Sequence, residues 1–278
     1  MEKIITEMII SNLENYLIEE EKSPATREKY MRSVRDFCKY ADGKEITKNI
    51  VMGYKAWLLS ENYTERSINA ILAGVNCLLD FMGIGDCRVK NFKIQKAVYL
   101  PEEKELTKAE YIKLLQAAGD DFRLKTIMET ICGTGIRISE LQYFTVEMVS
   151  SGEVRIRNKG KTRVVLIPGK LKKKLLDYAR RVGIKEGIIF RNRKGGSLDR
   201  SVIWAMMKRL CKKAGIASSK VFPHNLRKLF ARCFYKIEKD IAKLADILGH
   251  SSIDTTRIYI MTSGAEHRRI INRLGLVT

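Results

Sequence analysis

The side chains best suited to chemistry crowd into residues 222–259, FPHNLRKLFARCFYKIEKDIAKLADILGHSSIDTTRIY. His224 and His250 are two of the chain's three histidines; Arg227 follows the first by three residues, and Tyr259 follows the second by nine. In a helix, His224 and Arg227 share one face. An arginine presents a planar fork of N–H groups to non-bridging phosphate oxygens. An imidazole takes or gives a proton near neutrality, and a tyrosine hydroxyl can act as a covalent nucleophile. The set suits a phosphate-centred reaction. Such a reaction needs two further groups: another cation on the phosphate and an acid for the leaving oxygen.

The elements that must hold these residues are predicted from spacing. Ile237, Ile241, Leu244, Ala245 and Leu248 recur at helical intervals over 236–248. Gly249 fits a C-cap, which puts His250 just past the helix end. The SSIDTT turn can cap another short helix carrying Arg257 and Tyr259. Upstream, a helix over 121–132 closes on Gly133-Thr134-Gly135, two glycines framing a tight turn. Arg137 starts the next helix with Glu140 three residues on, which fits either a phosphate cation steadied by an acid or a purely structural pair. Residues 154–167, VRIRNKGKTRVVLI, read as a β-hairpin turning at Asn158-Lys159-Gly160-Lys161. Lysines on such a tip serve solubility, or they reach into a groove and deliver a proton. Crowding by other cations would lower a lysine's pKa for that work.

The rest of this half is basic. A helix is predicted over 171–182, a short strand at 188–190, and a glycine-containing loop at 191–196 suited to backbone phosphates. A helix over 199–213 has Val202, Ile203, Met206, Met207 and Leu210 as its core stripe. In the tail, 264–278, Ile270, Ile271 and Leu274 form an apolar stripe that could dock on its own domain or on a neighbouring subunit.

A chain of 278 residues is long enough for two domains with real cores. Its 52 Lys and Arg against 32 Asp and Glu give a net charge of +20. Residues 1–97 carry 15 basic and 14 acidic side chains, leaving 37 and 18 for residues 98–278. An excess concentrated in one region points to a polyanion, with nucleic acid ahead of an anionic membrane surface. No long apolar run or lipidation motif supports the membrane. The six cysteines form no CxxC pair and no zinc spacing. They read as reduced, mostly buried small hydrophobes in a cytoplasmic protein. The first ten residues are too short and too acidic for a signal peptide.

The first domain reads as all-α. Met8, Ile9, Leu13, Tyr16 and Leu17 mark a helix over 7–20. Ser23-Pro24 opens a second to about Tyr40, with Arg27, Arg32 and Arg35 on its polar face. A third follows Thr47 and a fourth follows Thr64. Residues 84–106 lose helical period, and their second half reads as a linker. Thr107 and Glu110 then form a capping box.

Arg137 in GTGIRISEL, Lys159 in the hairpin, HNLR at 224–227 and LGHSSIDTTRIY ending at Tyr259 resemble the tyrosine recombinase (phage integrase, Xer-like) family. HxxR and LGH are each weak signals alone; the ordered set is highly specific. The likeness covers roughly Thr107 to the C-terminus, and SPATREKY with the Thr64 helix resembles that family's SAM-like core-binding domain. It implies a mainly α fold with a small β-sheet: a helical DNA-binding domain over 1–97, a linker over 98–106, and an α+β catalytic domain over 107–278. It also implies that Arg137 and Arg227 clamp the scissile phosphate and that His250 bonds a non-bridging oxygen. His224 would exchange the tyrosine proton, Lys159 would protonate the leaving 5′ oxygen, and Glu140 would support Arg137. Tyr259 would attack to give a 3′-phosphotyrosyl DNA, with no metal and no cofactor. The hairpin is one residue shorter than the family's usual GKGNKER, so the acid is Lys159 or, in the other alignment, Lys161; Lys159 is favoured.

The implied partner is a double-stranded recombination site, bound by a tetramer whose C-terminal helix docks in trans, with no membrane. Arg27, Arg32, Arg35, Lys161, Arg163, Arg191, Arg193 and Lys194 are the candidate DNA-binding residues. With no arm-binding module recognised, the layout resembles the short Xer-type or simple-transposon enzymes. Competing readings are a type IB topoisomerase, a non-catalytic DNA-binding regulator of the same fold, and a metal-dependent nuclease. The last is opposed by the lack of clustered carboxylates.

Overall fold

A computed structural model describes residues 3–95, 105–158, 161–261, 268–269 and 271–274. The chain divides into two compact units, 1–96 and 97–278.

The first unit is a helical cluster: α1 (Glu7–Glu19), α2 (Pro24–Ala41), α3 (Lys48–Ser60) and α4 (Glu65–Phe81). Each starts on a hydroxyl. Thr6, Ser23, Thr47 and Thr64 accept from the N–H groups of Ile9, Thr26, Ile50 and Ser67. Such a cap satisfies one of the orphan donors of a helix start. Leu13, Leu17, Val34, Phe37, Val51, Leu72 and Leu78 bury the shared apolar face. After α4, the Asn69 side chain donates to the Phe92 carbonyl at 2.9 Å and accepts from the Phe92 N–H at 2.8 Å, strapping the outgoing chain to its own unit.

The second unit opens with α5 (Lys108–Ala117), on the reciprocal Thr107–Glu110 capping box. Glu105 and Leu106 lie in the stretch read as a linker, yet Leu106 is buried in this unit's core and Glu105 pairs with Arg232 at 2.9 Å. Next come α6 (Phe122–Thr134), a 3₁₀ turn (Ile138–Tyr143) and α7 (Val146–Ser151). Strands β1 (Glu153–Asn158) and β2 (Lys161–Leu166) pair antiparallel, with Val154 opposite Val165 and Ile156 opposite Arg163. Helices α8 (Gly169–Arg181), α9 (Arg200–Ala214), α10 (Pro223–Ile237), α11 (Ile241–Leu248) and α12 (Ile253–Ile260) complete it. Leu124, Ile127, Ile131, Val154, Ile156, Leu175, Ile203, Met207 and Leu226 form the main core.

Several elements differ from expectation for local reasons. Helix α6 runs through Gly133 and Thr134, and Gly135 alone takes a left-handed φ, of 67°. The chain at 188–190 makes only isolated bridges, Thr145 to Ile188 and Arg191 to Ser197, not a strand. Val202 is exposed, about 100° around the helix from the buried Ile203 and outside the stripe of Ile203, Met207 and Cys211. The helix expected over 236–248 is two: α10 ends at Ile237, which is exposed, and Asp240 caps a new start by accepting from Ala242 and Lys243. In the tail, Ile271 and Leu274 are exposed, while Ile270 lies outside the described residues. The six cysteines are free, but only Cys87 and Cys211 are fully buried. Among the described residues no helix is long and apolar enough to cross a membrane.

Candidate active site

Helix α10 carries the HxxR pair and is held from two sides. Leu226 and Leu229 anchor it in the core. At its far end Arg232 bonds the Leu106 carbonyl as well as Glu105. The end of α6 packs tightly on it: a Cβ at Gly135 would lie 2.4 Å from the Phe230 ring. This close approach puts the Gly135 carbonyl on Arg227. The Arg227 side chain is 1% exposed. It donates from Nη1 to Gly135 O at 2.6 Å and from Nη2 to Leu248 O at 2.7 Å. The Leu248 carbonyl is free to accept because α11 ends there, at the left-handed Gly249 cap.

His250 follows that cap, and its Nε2 lies 2.9 Å from Arg227 Nη2. A guanidinium has no acceptor. Nε2 therefore accepts, and Nδ1 carries the proton and donates to Thr256 Oγ1 at 2.8 Å. Tyr259, three residues on along α12, is 6% exposed and packs in a small cluster with Ala231, Leu244 and Leu248. Both histidines meet its ring edge-on, His224 at 5.0 Å and His250 at 4.8 Å between centroids. The Arg227 guanidinium lies 5.8 Å from the ring centre.

The second corner is built on Glu140, whose side chain is 2% exposed. It accepts the Arg137 backbone N–H at 2.7 Å and Arg137 Nη1 at 3.2 Å. Arg163, from β2, binds it with both arms of its fork, each at 2.8 Å. Arg137 Nη2 also reaches the Gly249 carbonyl, at 3.3 Å, which connects the two corners.

These surroundings set the proton affinities. Burial works against the Glu140 charge, but the Arg163 and Arg137 hydrogen bonds and charges outweigh it and hold the carboxyl below its ordinary range. Burial lowers Arg227 to about 10, helped by the Arg137 charge and opposed by Tyr259 and Glu140. Desolvation, then Arg227, Arg137, Arg163 and His224, bring His250 down to about 4. His224 is also lowered to about 4, by desolvation and then by Lys228, Arg227 and Arg137. The His224 residue is surface-exposed, so water softens the desolvation share and its cationic neighbours are the firmer cause. Both imidazoles are therefore neutral at pH 7, able to accept a proton, beside a phenol and two guanidinium groups.

The structure thus brings together Arg137, Glu140, His224, Arg227, His250 and Tyr259. Lys159 lies outside the described residues, and Lys161 is the first residue of β2, opposite Asn158. Arg163, expected on the DNA-facing ribbon, instead has its guanidinium on Glu140, with a side chain only 15% exposed. Its signal was the strand alternation: Arg163, Val165 and Ile167 share the inward face. Thr256, the hydroxyl that fixes the His250 tautomer, was also missed; only its place between His250 and Tyr259 pointed to it. Arg191, Arg193 and Lys194 lie exposed on the loop after the Ile188 bridge. In the other unit, Arg32 and Arg35 are exposed on α2 and Arg27 is half-buried.

Residues 104–266 match the phage integrase family, and residues 10–82 match the phage integrase N-terminal SAM-like domain. The chain is 30% identical to tyrosine recombinase XerA of Pyrococcus furiosus, over 99% of this chain and 97% of that one. Among solved structures, that of XerA recombinase covers 99% of this chain and 100% of its own, with 25% identity and a TM-score of 0.54. A lambda integrase tetramer bound to a Holliday junction shares the fold, with 19% identity and a TM-score of 0.73 over 91% of this chain and 76% of its own. These likenesses span both units, and the chain belongs to the phage integrase family as a tyrosine-type site-specific recombinase.

Proposed function

We propose that this recombinase cleaves and rejoins duplex DNA through a phosphotyrosyl intermediate on Tyr259, with no metal ion and no high-energy cofactor. The observation that carries this reading is the convergence of His224, Arg227 and His250 of one chain on the ring of the same chain's Tyr259. In the proposed step, Tyr259 Oη bonds to phosphorus and the bond to the 5′ oxygen breaks. The phenol proton passes to neutral His224. Lys159 supplies a proton to the leaving 5′ oxygen; Lys161, at the start of β2, is the alternative. Arg137 and Arg227 stabilise the charge on the non-bridging oxygens, with His250 beside them. A 5′ hydroxyl from a second duplex then attacks the phosphotyrosine and reverses each proton transfer. One phosphodiester is exchanged for another, so no external energy is needed.

The neighbouring groups fit this sequence of events. Arg227 is fully enclosed and Tyr259 nearly so. A phosphate therefore engages them by replacing contacts the cluster now makes internally. The short α12, eight residues between the Ser252 cap and Met261, is the element whose displacement opens the seat. The exposed basic residues of α2 and of the 191–194 loop would hold the flanking backbone. We read residues 1–97 as the core-binding domain and 107–278 as the catalytic domain, joined through 98–106. Assembly as a tetramer on DNA accords with the lambda integrase tetramer bound to a Holliday junction, which shares the fold; in that assembly the C-terminal tail would dock in trans.

The test is a nicked suicide duplex of the sequence that the protein selects from a randomised pool, followed by denaturing gel analysis. Wild type is expected to accumulate a covalent protein–DNA adduct. Tyr259→Phe is expected to bind the duplex normally and form none. An adduct that persists in Tyr259→Phe would assign the nucleophile elsewhere.

A further inference from the structure

We propose that Arg163 is a positioning residue that takes up the charge of Glu140 and so leaves Arg137 free to meet the substrate phosphate. The inference rests on the reading of Arg137 as a phosphate-binding group.

A carboxylate as enclosed as that of Glu140 must be neutralised where it sits. Two arginines flank it on unequal terms. Arg163 uses both arms of its fork, at 2.8 Å to each carboxylate oxygen, the geometry in which a guanidinium and a carboxylate match best. Arg137 gives the carboxylate one side-chain bond, at 3.2 Å. Exposure follows the same order, 15% for the Arg163 side chain and 34% for that of Arg137. The cluster of two guanidinium groups and one carboxylate keeps one net positive charge, and that charge sits on the more exposed member. The remaining contact of Arg137, from Nη2 to the Gly249 carbonyl, is long at 3.3 Å and easily exchanged for a phosphate oxygen.

Take Arg163 away and the balance changes. Glu140 then has only Arg137 to neutralise it, and the pair would close into a two-armed salt bridge with no net charge. The phosphate would meet an arginine already saturated by a carboxylate. The position of Arg163 is fixed from a third side as well. Its stem lies against the bare backbone of Gly249, where a Cβ would come within 2.7 Å of Arg163 Cδ. Arg163 therefore ties together the strand leading from the hairpin tip, the turn that carries Arg137, and the turn before His250.

The experiment compares adduct formation on the suicide duplex by wild type, Arg163→Met and Arg163→Met/Glu140→Gln, at saturating DNA and with duplex affinity measured alongside. Arg163→Met is expected to slow cleavage about 100-fold, the usual loss when one donor leaves a transition-state cradle, with affinity little changed because many phosphates share the binding. Adding Glu140→Gln removes the charge that captures Arg137, while its amide oxygen still accepts the Arg137 backbone N–H. The double variant is expected to cleave about tenfold faster than Arg163→Met, a recovery of about 1.4 kcal/mol in barrier. A merely structural Arg163 predicts no such rescue. Arg163→Met at the wild-type rate overturns the inference, and so does a folded double variant no faster than the single. Should Arg163→Met fail to fold, Arg163→Lys carries the same comparison, because one ammonium cannot hold both carboxylate oxygens. Wild type that forms no Tyr259-dependent adduct removes the reading of function and this inference with it. A normal wild-type adduct without rescue removes this inference alone.

Discussion

Arg163 and Arg227 are both largely buried in the same unit, yet Arg163 is answered by a carboxylate and Arg227 by carbonyls and an imidazole. The difference is electrostatic. A carboxylate cancels a guanidinium's charge, so the Glu140 corner is stable by itself and exports its surplus through Arg137. Carbonyl dipoles orient a guanidinium without cancelling it. Arg227 therefore keeps its full charge in an enclosed place, and in the proposed reaction the substrate phosphate is the partner that would neutralise it. Its proton affinity, lowered to about 10, still leaves it charged at neutral pH. One corner is organised to hold its shape, the other to wait for an anion.

The largest expected effect tests the waiting corner. Arg227→Ala is expected to reduce adduct formation by at least about 100-fold, since it removes a donor from the transition-state cradle. It should also destabilise the fold by on the order of 3 kcal/mol, because the Gly135 and Leu248 carbonyls lose their donor in a closed space. A urea titration reads the second quantity. The comparison breaks if Arg227→Ala proves more stable than wild type. The carbonyl contacts would then fail to compensate the buried charge, and the corner would be strained rather than merely unfinished.

Gly249→Ala tests the seam between the corners. Gly249 has φ of 64°, where a Cβ costs roughly 1 to 2 kcal/mol. The added carbon would also meet Arg163 Cδ at 2.7 Å and its Nε and Nη1 at 3.1 Å. Stability should fall by about 2 kcal/mol, and cleavage by about 10- to 100-fold as the Arg163 stem and the His250 turn shift. Cleavage unchanged despite lost stability would separate the two corners functionally.

Much of this arrangement is readable before the fold is known, and the exceptions share a cause. Helix starts at Thr6, Ser23, Thr47, Thr64 and Thr107 are local chemistry, a hydroxyl answering its own helix. The order of Arg137, His224, Arg227, His250 and Tyr259 is legible because residue types at set spacings carry the family likeness. The carbonyls of Gly135 and Leu248 have no sequence signature at all, since every residue has one. The split between α10 and α11 was hidden because Ile237 fits the apolar spacing of the next helix while lying exposed at the end of its own. Arg163 is hard to place from local pattern too: its charge suggests solvent, whereas strand alternation and a carboxylate 23 residues away in sequence turn it inward. Long-range pairing decides such cases, and local pattern carries it only weakly.

The last test sets the two corners apart by pH. His250 and His224 take up protons near pH 4 in the folded protein, against an ordinary value of 6.5. Between those values the unfolded chain binds more protons than the folded one, so stability falls as the medium is acidified from about pH 6.5 toward 4. Glu140 behaves as a supported carboxylate: its contribution is present above its ordinary value of 4.5 and is lost only as pH drops through its lower folded value. The histidine corner should therefore weaken first, between pH 6.5 and 4.5, and the carboxylate corner only below. Urea midpoints at pH 7.5, 6, 5 and 4 would trace both. His250→Gln, which can still accept from Arg227, is expected to make the upper part of the wild-type curve shallower, His224 keeping the remaining slope, and to leave the lower part in place. A curve equally steep in the variant over that upper range would mean that His250 is already protonated in the folded protein, with Arg227 directed away from it.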